Sequence, residues 1–365
     1  MAIAVERAGE LEVERLEVAT YTVPTDEPES DGTLRWDSTT AIVVQARAGG
    51  ATGLGYTYGD ESVARFVESQ LAALASGAPA AHPQAAWARM QEAIRNAGQP
   101  GVGAMAVSAV DVALWDLKAR LLGVALADLL GRFQTRVPIY ASAGFTSWSD
   151  ERLEEWARGI GDTPRMKIKV GREPERDLHR LGVVRRALGD GVELMVDANG
   201  AFTPTEALYW AERYAELGVT YLEEPVSSDD RPGLRRVRDR APAGMAIAAG
   251  EYGWDLVGLA DLAGCVDVLQ ADVTRCGGIT NLLRVDGLCK SRGLPFSAHC
   301  APAISAHACA ALECLRHVEY FHDHVRVERL LFAGTLEPRD GALRPDPARP
   351  GLGLELRPDA ERWRA

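Results

Sequence analysis

Two lysines stand two residues apart in the run RMKIKV, Lys167 and Lys169. On a β-strand successive side chains alternate, so residues i and i+2 share a face and both ammonium groups point the same way. Each then disfavours the charge of the other, and a lysine so placed is able to act as a base. Three carboxylates follow at the ends of apolar runs: Asp197 in VDAN, Glu223 in LEEP and Glu251 in AAGE. Brought together without a partner they would repel and desolvate badly. A hard divalent cation resolves that conflict, and oxygen-only ligands suit Mg2+, with coordination positions left for water and substrate. Asp272 and His299 end the next two runs. An aspartate accepting from one ring nitrogen fixes the tautomer and leaves the other nitrogen free for proton transfer. Glu319 lies on the last run. It could face a substrate carboxylate or pair with Arg316 or Arg326.

The elements that must hold these groups recur with a clear rhythm. From residue 136 onward, short β-type runs alternate with helical stretches: 137–142, 165–170, 193–199, 219–225, 245–251, 266–272, 294–300 and 317–322. Eight βα units predict an α/β fold, a (β/α)8 barrel rather than an open sheet. In such barrels the C-terminal strand ends form the mouth of the site, which is where most of the ionisable groups fall. The first part of the chain reads differently. Residues 11–23 alternate apolar and polar, 39–47 are β-branched, and 61–75, 83–96 and 104–122 have helical spacing. This predicts an α+β capping domain over residues 1–130, a barrel over 131–322, and a C-terminal segment over 323–365 that packs back on the rest.

With these positions in place the chain resembles the enolase superfamily, mandelate racemase subgroup. The resemblance rests on Lys167-x-Lys169, then Asp197, Glu223 and Glu251, then Asp272 with His299, and it covers essentially the whole chain. It implies a modified (β/α)8 barrel under an α+β cap and one Mg2+ per site, held by Asp197, Glu223 and Glu251. It also implies abstraction of the proton α to a carboxylate. Lys169 and His299 would lie on opposite faces of the substrate carbon, with Asp272 orienting His299 and Lys167 touching the substrate carboxylate. Asn199 matches a substrate-contacting position, and Glu319 matches a glutamic acid that hydrogen-bonds the substrate carboxylate. The Lys/His pairing implies an acid-sugar dehydratase, with a racemase or epimerase of a 2-hydroxy acid or amino acid derivative as the alternative. A cycloisomerase ranks lower, because that reaction needs no His–Asp dyad. The family's habit implies a homo-oligomer.

One region sits awkwardly with this. Residues 21–36, expected as a substrate-facing loop, carry Asp26, Glu27, Glu29 and Asp31. An acidic lid over an anionic substrate is unexpected. Tyr21, Arg35 and Trp36 flank it, Tyr56 and Tyr58 sit in a second expected loop, and Tyr21 and Trp36 are taken as candidate substrate contacts.

Composition excludes other classes. The chain has 365 residues with 40 Lys and Arg against 52 Asp and Glu, a net charge of −12. That balance argues against nucleic acid or an anionic membrane as partner and leaves a small-molecule carboxylate. No apolar run is long enough to span a bilayer. Glu6, Arg7 and Glu10 interrupt the N-terminus too early for a leader, and the six cysteines have no disulfide-framework spacing, so a cytoplasmic protein with reduced thiols is expected. His299, Cys300, His307 and Cys309 lack the paired C-x-x-C arrangement of structural zinc. Gly101-x-Gly103 follows helical rather than strand sequence, which sets aside a nucleotide loop. His322 and His324 belong either to the site rim or to the surface.

Overall fold

The structure, a computed structural model, describes residues 10–365; Glu6 and Arg7 lie outside it. Three antiparallel strands open the chain: β1 (Arg15–Ser30), β2 (Arg35–Ala48) and β3 (Ala51–Tyr58). The alternation of β2 is used on both faces. Ile42, Val44 and Ala46 join a core with helices α1 (Glu61–Phe66), α2 (Ala72–Ala75), α3 (Pro83–Ala93) and α4 (Val102–Leu122). Ala41 and Val43 turn instead to the core shared with the barrel. Helix α4 lies so close to β3 that a Cβ on Gly55 would sit 2.2 Å from the Ala109 carbonyl oxygen, and one on Gly53 2.2 Å from that of Ala113. It ends at Gly123, whose φ of 67° is the left-handed conformation of a helix C-cap.

After the short helix α5 (Leu126–Leu129), eight strands run in chain order around a closed barrel, all parallel. They are β4 (Val137–Ala143), β5 (Arg165–Lys169), β6 (Glu193–Asp197), β7 (Val219–Glu223), β8 (Ala246–Ala249), β9 (Val268–Ala271), β10 (Phe296–Ala298) and β11 (Leu315–Phe321). The linking helices are α6 (Asp150–Arg158), α7 (Pro174–Leu188), α8 (Pro204–Glu216), α9 (Arg231–Arg238), α10 (Leu256–Leu262), α11 (Ile279–Arg292) and α12 (Pro302–Cys309). Helix α13 (His322–Leu331) follows β11, so the eighth helix runs past the boundary drawn at residue 322. Several helices start on side-chain caps. Thr203 and Glu206 form a reciprocal capping box on α8, and Asp230 and Asp255 cap α9 and α10.

The tail ties barrel to cap. Strands β12 (Phe332–Ala333) and β14 (Glu355–Leu356) pair, and β13 (Ala342–Leu343) adds antiparallel to β4. Asp116 on α4 accepts from the backbone of Leu54 at 2.7 Å and of Leu352 at 2.5 Å, and the Ala365 amide donates to Thr20 at 2.9 Å.

The stretch expected as a loop over 21–36 is instead a long hairpin of β1 and β2, turning at residues 31–34 and irregular between Pro24 and Glu29. Its tip is bonded to the barrel mouth. Ser30 Oγ lies 2.7 Å from Thr146 Oγ1, and Arg172 donates to the carbonyls of Asp31 and Leu34 at 2.8 and 2.7 Å. Two of the acidic residues are spent on this docking and two on the hairpin itself. Glu27 pairs with Arg152 at 3.3 Å, and Asp26 faces His322 at 3.2 Å and Arg326 at 3.7 Å. Asp31 accepts the Thr33 and Leu34 amides of the turn at 2.6 Å. Glu29 is buried, and burial together with Asp323 pushes its carboxyl up to about 9, against the Trp36 indole that donates to it at 2.9 Å. None of these four presents a free charge to a substrate.

Candidate active site

Backbone register assembles the first row of the site. Lys169 pairs with Asp197, Asp197 with Glu223, and Glu223 with Ala248 across β5–β8. One layer below, Lys167, Met195 and Tyr221 are matched in the same way. The two-residue spacing of the lysines therefore becomes depth in the barrel: Lys167 is fully buried and Lys169 sits at the mouth, 5% exposed. Glu251 follows β8 through Gly250, where a Cβ would meet the Gln270 carbonyl oxygen at 2.1 Å. That close approach lets the chain turn Glu251 inward.

Asp197, Glu223 and Glu251 are all buried, with one carboxylate oxygen from each lying within 4.8 Å of the others. Glu223 Oε2 has no hydrogen-bond partner among the described residues, and Glu251 Oε2 lies 2.7 Å from His299 Nε2 without hydrogen-bond geometry. Three buried carboxylates whose oxygens lie this close together, one of those oxygens unpartnered, make the all-oxygen donor set that a magnesium-sized ion takes. Burial drives Glu223 towards its neutral form and Asp197, Glu319 and Glu251 reinforce that. Lys167 opposes it, and the carboxyl ends well above its usual range.

Lys169 Nζ lies 2.6 Å from Asp197 Oδ2. Burial lowers its affinity for a proton and Lys167 does the same, while Asp197, Glu251 and Glu319 together outweigh both and leave it raised. The mutual depression expected of the lysine pair is thus present but overridden by the carboxylates. Lys167 donates to Glu223 and lies 2.8 Å from Glu319 Oε1 and 3.4 Å from Asp197 Oδ2, its ammonium satisfied within the barrel. Glu319 accordingly pairs with Lys167, while Arg316 pairs with Glu193 and Arg326 with Asp323. Burial raises the Glu319 carboxyl, and Lys167, His299 and Lys169 pull it further down, so it is a carboxylate rather than an acid.

Across the mouth, His299 Nδ1 lies 2.8 Å from Asp272 Oδ2, and Asp272 Oδ1 accepts from the amide and hydroxyl of Thr274 at 2.7 Å each. The dyad therefore exists and directs Nε2 into the site. Lys169 reaches the carboxylates beside Asp197 and His299 beside Glu251, from opposite sides of the row.

Asn199 adopts a left-handed φ of 47° and its backbone N–H donates to Asp197 Oδ1 at 2.9 Å, while its own buried side-chain Oδ1 is unpartnered among the described residues. Trp36 packs edge-on against Phe145 at 5.6 Å, Phe145 meets Phe321 at 5.7 Å, and the Phe321 ring lies 5.7 Å from Lys169 Nζ. It belongs to the rim. Tyr21 is not brought to the site: it is buried in β1 opposite Ala41 and bridges to Arg364. Tyr56 donates to Glu328 and Tyr58 stacks on His324 with ring centroids 3.5 Å apart, so both are structural. His322 is the Asp26 partner and His324 is buried. His307 faces Asp128, Arg132 and Arg349, away from His299, so the four-residue zinc grouping is not assembled.

Several contacts here escape sequence reasoning. Arg275 Nε lies 3.4 Å from the same Asp272 oxygen that holds His299, and its position three after Asp272 was the available signal. Glu224 (φ 40°) turns back to accept from Ser228 at 2.5 Å and Gly250 at 3.0 Å, supporting the Glu251 turn. Cys300 Sγ lies 3.2 Å from His299 Nε2 and 3.3 Å from Glu319 Oε2.

Two family models match. Residues 16–131 fit the mandelate racemase/muconate lactonizing enzyme N-terminal domain, and residues 150–360 the enolase C-terminal domain-like unit. A solved mandelate racemase/muconate lactonizing enzyme-like protein from Rubrobacter xylanophilus is 67% identical with a TM-score of 0.96, over 97% of this chain and 100% of that one. A 3,6-anhydro-alpha-L-galactonate cycloisomerase from Streptomyces coelicolor is 32% identical over 94% of this chain and 97% of its own. An L-talarate dehydratase from Polaromonas, solved with Mg and L-glucarate, is 28% identical with a TM-score of 0.86 over 98% of both chains. Together with the lysine pair, carboxylate row and His–Asp dyad, these matches place the chain in the mandelate racemase/muconate lactonizing enzyme family of the enolase superfamily.

Proposed function

We propose that the chain is a Mg2+-dependent acid-sugar dehydratase, converting a sugar acid to its 2-keto-3-deoxy acid. The observation that carries this reading is the His299–Asp272 dyad, set across the carboxylate row from Lys169. Enolase-superfamily enzymes use Mg2+, and Asp197, Glu223 and Glu251 are the residues that would hold it here. When bound, it supplies positive charge that stabilises the charge developing on a substrate carboxylate as the α-proton leaves. Lys169 takes the α-proton at Nζ as its neutral amine, a form that burial and Lys167 favour and that Asp197, Glu251 and Glu319 oppose. His299, as imidazolium, gives its Nε2 proton to the departing β-hydroxyl, which leaves as water. Asp272 accepts from Nδ1, stabilises the imidazolium and keeps Nε2 facing the site. The enol then tautomerises to the 2-keto acid. Asn199 offers its free Oδ1 to a substrate hydroxyl and Trp36 closes the rim. Lys167 holds Glu319 and Glu223 in place and contributes positive charge beneath the substrate carboxylate.

A second reading, racemisation or epimerisation of a 2-hydroxy acid or amino acid derivative, is favoured by the same flanking geometry. Two groups on opposite sides of one carbon exchange its proton without elimination.

The test is proton NMR in D2O with Mg2+ and pools of sugar acids and 2-hydroxy acids. Loss of an α-proton signal with a new 3-deoxy methylene supports dehydration. Deuterium at the α-carbon without elimination supports the second reading. An isomerised lactone or anhydro sugar acid without a deoxy product replaces both with cycloisomerisation, the activity named for the Streptomyces relative. Glu223→Gln is expected to weaken Mg2+ binding by more than about tenfold in calorimetry, together with any exchange activity. Lost metal with undiminished exchange removes the metal from the mechanism.

A further inference from the structure

His299, Cys300 and Glu319 form a second convergence of donors, unlike the carboxylate row in chemistry. His299 Nε2, Cys300 Sγ and Glu319 Oε2 make a triangle with sides of 3.2, 3.3 and 3.5 Å. Ligands of a tetrahedral zinc, at the usual Zn–S, Zn–N and Zn–O lengths, stand about 3.4–3.6 Å apart, so this triangle is one face of such a site within a few tenths of an ångström. The three residues are 5%, 3% and 0% exposed.

We infer that His299, Cys300 and Glu319 form a binding site for a thiophilic divalent cation of the zinc class, distinct from the all-oxygen site of Asp197, Glu223 and Glu251. Donor chemistry separates the two: a thiolate and an imidazole select a borderline-soft ion, and three carboxylates a hard one. The support around the triangle is already built. Asp272 fixes the His299 ring through Nδ1 at 2.8 Å, the carboxylate–histidine arrangement found behind zinc ligands. The Cys300 amide donates to Glu319 Oε2 at 3.1 Å and holds the carboxylate in register. Cys300 and Ala301 both take left-handed conformations, with φ of 49° and 42°, and this turn brings Sγ back towards the ring that precedes it. Bound as neutral imidazole, thiolate and carboxylate, the donors cancel the charge of a dication, and the thiol proton and the Nε2 proton of the imidazolium go to solvent. Such an ion takes the nitrogen that His299 uses for proton transfer, so the occupied enzyme is silenced. This last step rests on the role proposed for His299; the site itself does not.

The experiment is a Co2+ titration of the full chain in excess Mg2+, followed by the thiolate-to-cobalt charge-transfer band in the near ultraviolet and by displacement with Zn2+. One equivalent is expected to saturate the band in the wild type. Cys300→Ser is expected to lose it, with Zn2+ affinity lowered at least about tenfold and Mg2+ affinity within twofold of wild type. Glu319→Gln is expected to weaken Zn2+ binding while keeping a band. A band that persists in Cys300→Ser, that never forms, or that disappears as Mg2+ is raised overturns the site. Zinc X-ray absorption of the wild type reads the donors without any variant: one sulfur with nitrogen and oxygen is expected, and any other sulfur count overturns it. With the substrate found by the exchange screen, Zn2+ is expected to stop turnover at the concentration that fills the site. Inhibition at an unrelated concentration overturns the silencing and leaves the site standing.

Discussion

At the scale of single residues, the site is a set of buried charges whose partners decide their chemistry. Asp272 is the clearest case, because both of its oxygens are assigned: one to Thr274 and one to His299. Asp272→Asn keeps the shape but offers an amide N–H or a weak acceptor where the imidazole needs a carboxylate. Turnover is expected to fall on the order of 10³-fold with little change in Tm. Steady-state kinetics beside thermal unfolding checks this, and a Tm loss matching the activity loss would make Asp272 merely structural. Glu29 gives a pH prediction. Its folded-state carboxyl sits near 9 against an ordinary 4.5, so the folded chain binds the proton more tightly than the unfolded one. Stability from this group is full below the unfolded value and is lost as pH rises towards 9. Glu29→Gln retains an acceptor for Trp36 and is expected to exceed wild type at pH 9 by at least about 1 kcal/mol, with no gain at pH 4. Denaturant unfolding at both pH values reads the difference. Most of these residues were legible as types at strand ends. Their pairings were not, because Lys167 with Glu319 joins positions far apart in sequence that meet only when β11 closes on β4.

At the scale of elements, periodicity did most of the positioning. The β-type runs lie close to the barrel strands because each apolar run is buried on both faces and bounded by turn residues. The hairpin of β1 and β2 was less legible. Pro24 and a run of acids read as a loop, whereas Asp26 and Glu27 are paired by barrel residues that sequence spacing does not reveal. The seating of α4 on β3 depends on glycines that look unremarkable in sequence. Gly55→Ala would place its methyl 2.2 Å from the Ala109 carbonyl oxygen and 2.5 Å from the Ala113 nitrogen, both backbone atoms that cannot rotate away. Sheet and helix must separate, and a loss of about 1–3 kcal/mol is expected in urea unfolding. An unchanged midpoint would show that the cap breathes more freely than this contact implies.

At the scale of the whole molecule, cap and barrel are joined through the shared core, the tail, the hairpin tip and the bonds of α3 and α4 to the segment after β9. Asp116 is the buried knot of the tail connection, holding β3, the segment before β14 and Arg120 at once. Asp116→Ala leaves the Leu54 and Leu352 amides buried without acceptors, at about 1–3 kcal/mol each. Proteolysis is expected to release the C-terminal segment first, and a tail as resistant as in wild type would refute that coupling. No described helix is long and apolar enough to cross a membrane. The hairpin bears on how such enzymes can be recombined. Because Ser30 and the carbonyls of Asp31 and Leu34 are held by Thr146 and Arg172 from the barrel, the cap is not an interchangeable module. A graft that exchanges the cap for that of a relative carries over the lid but not its fastenings. The inherited unit is therefore the hairpin tip together with the loops that follow β4 and β5, two pieces of one lock encoded more than a hundred residues apart.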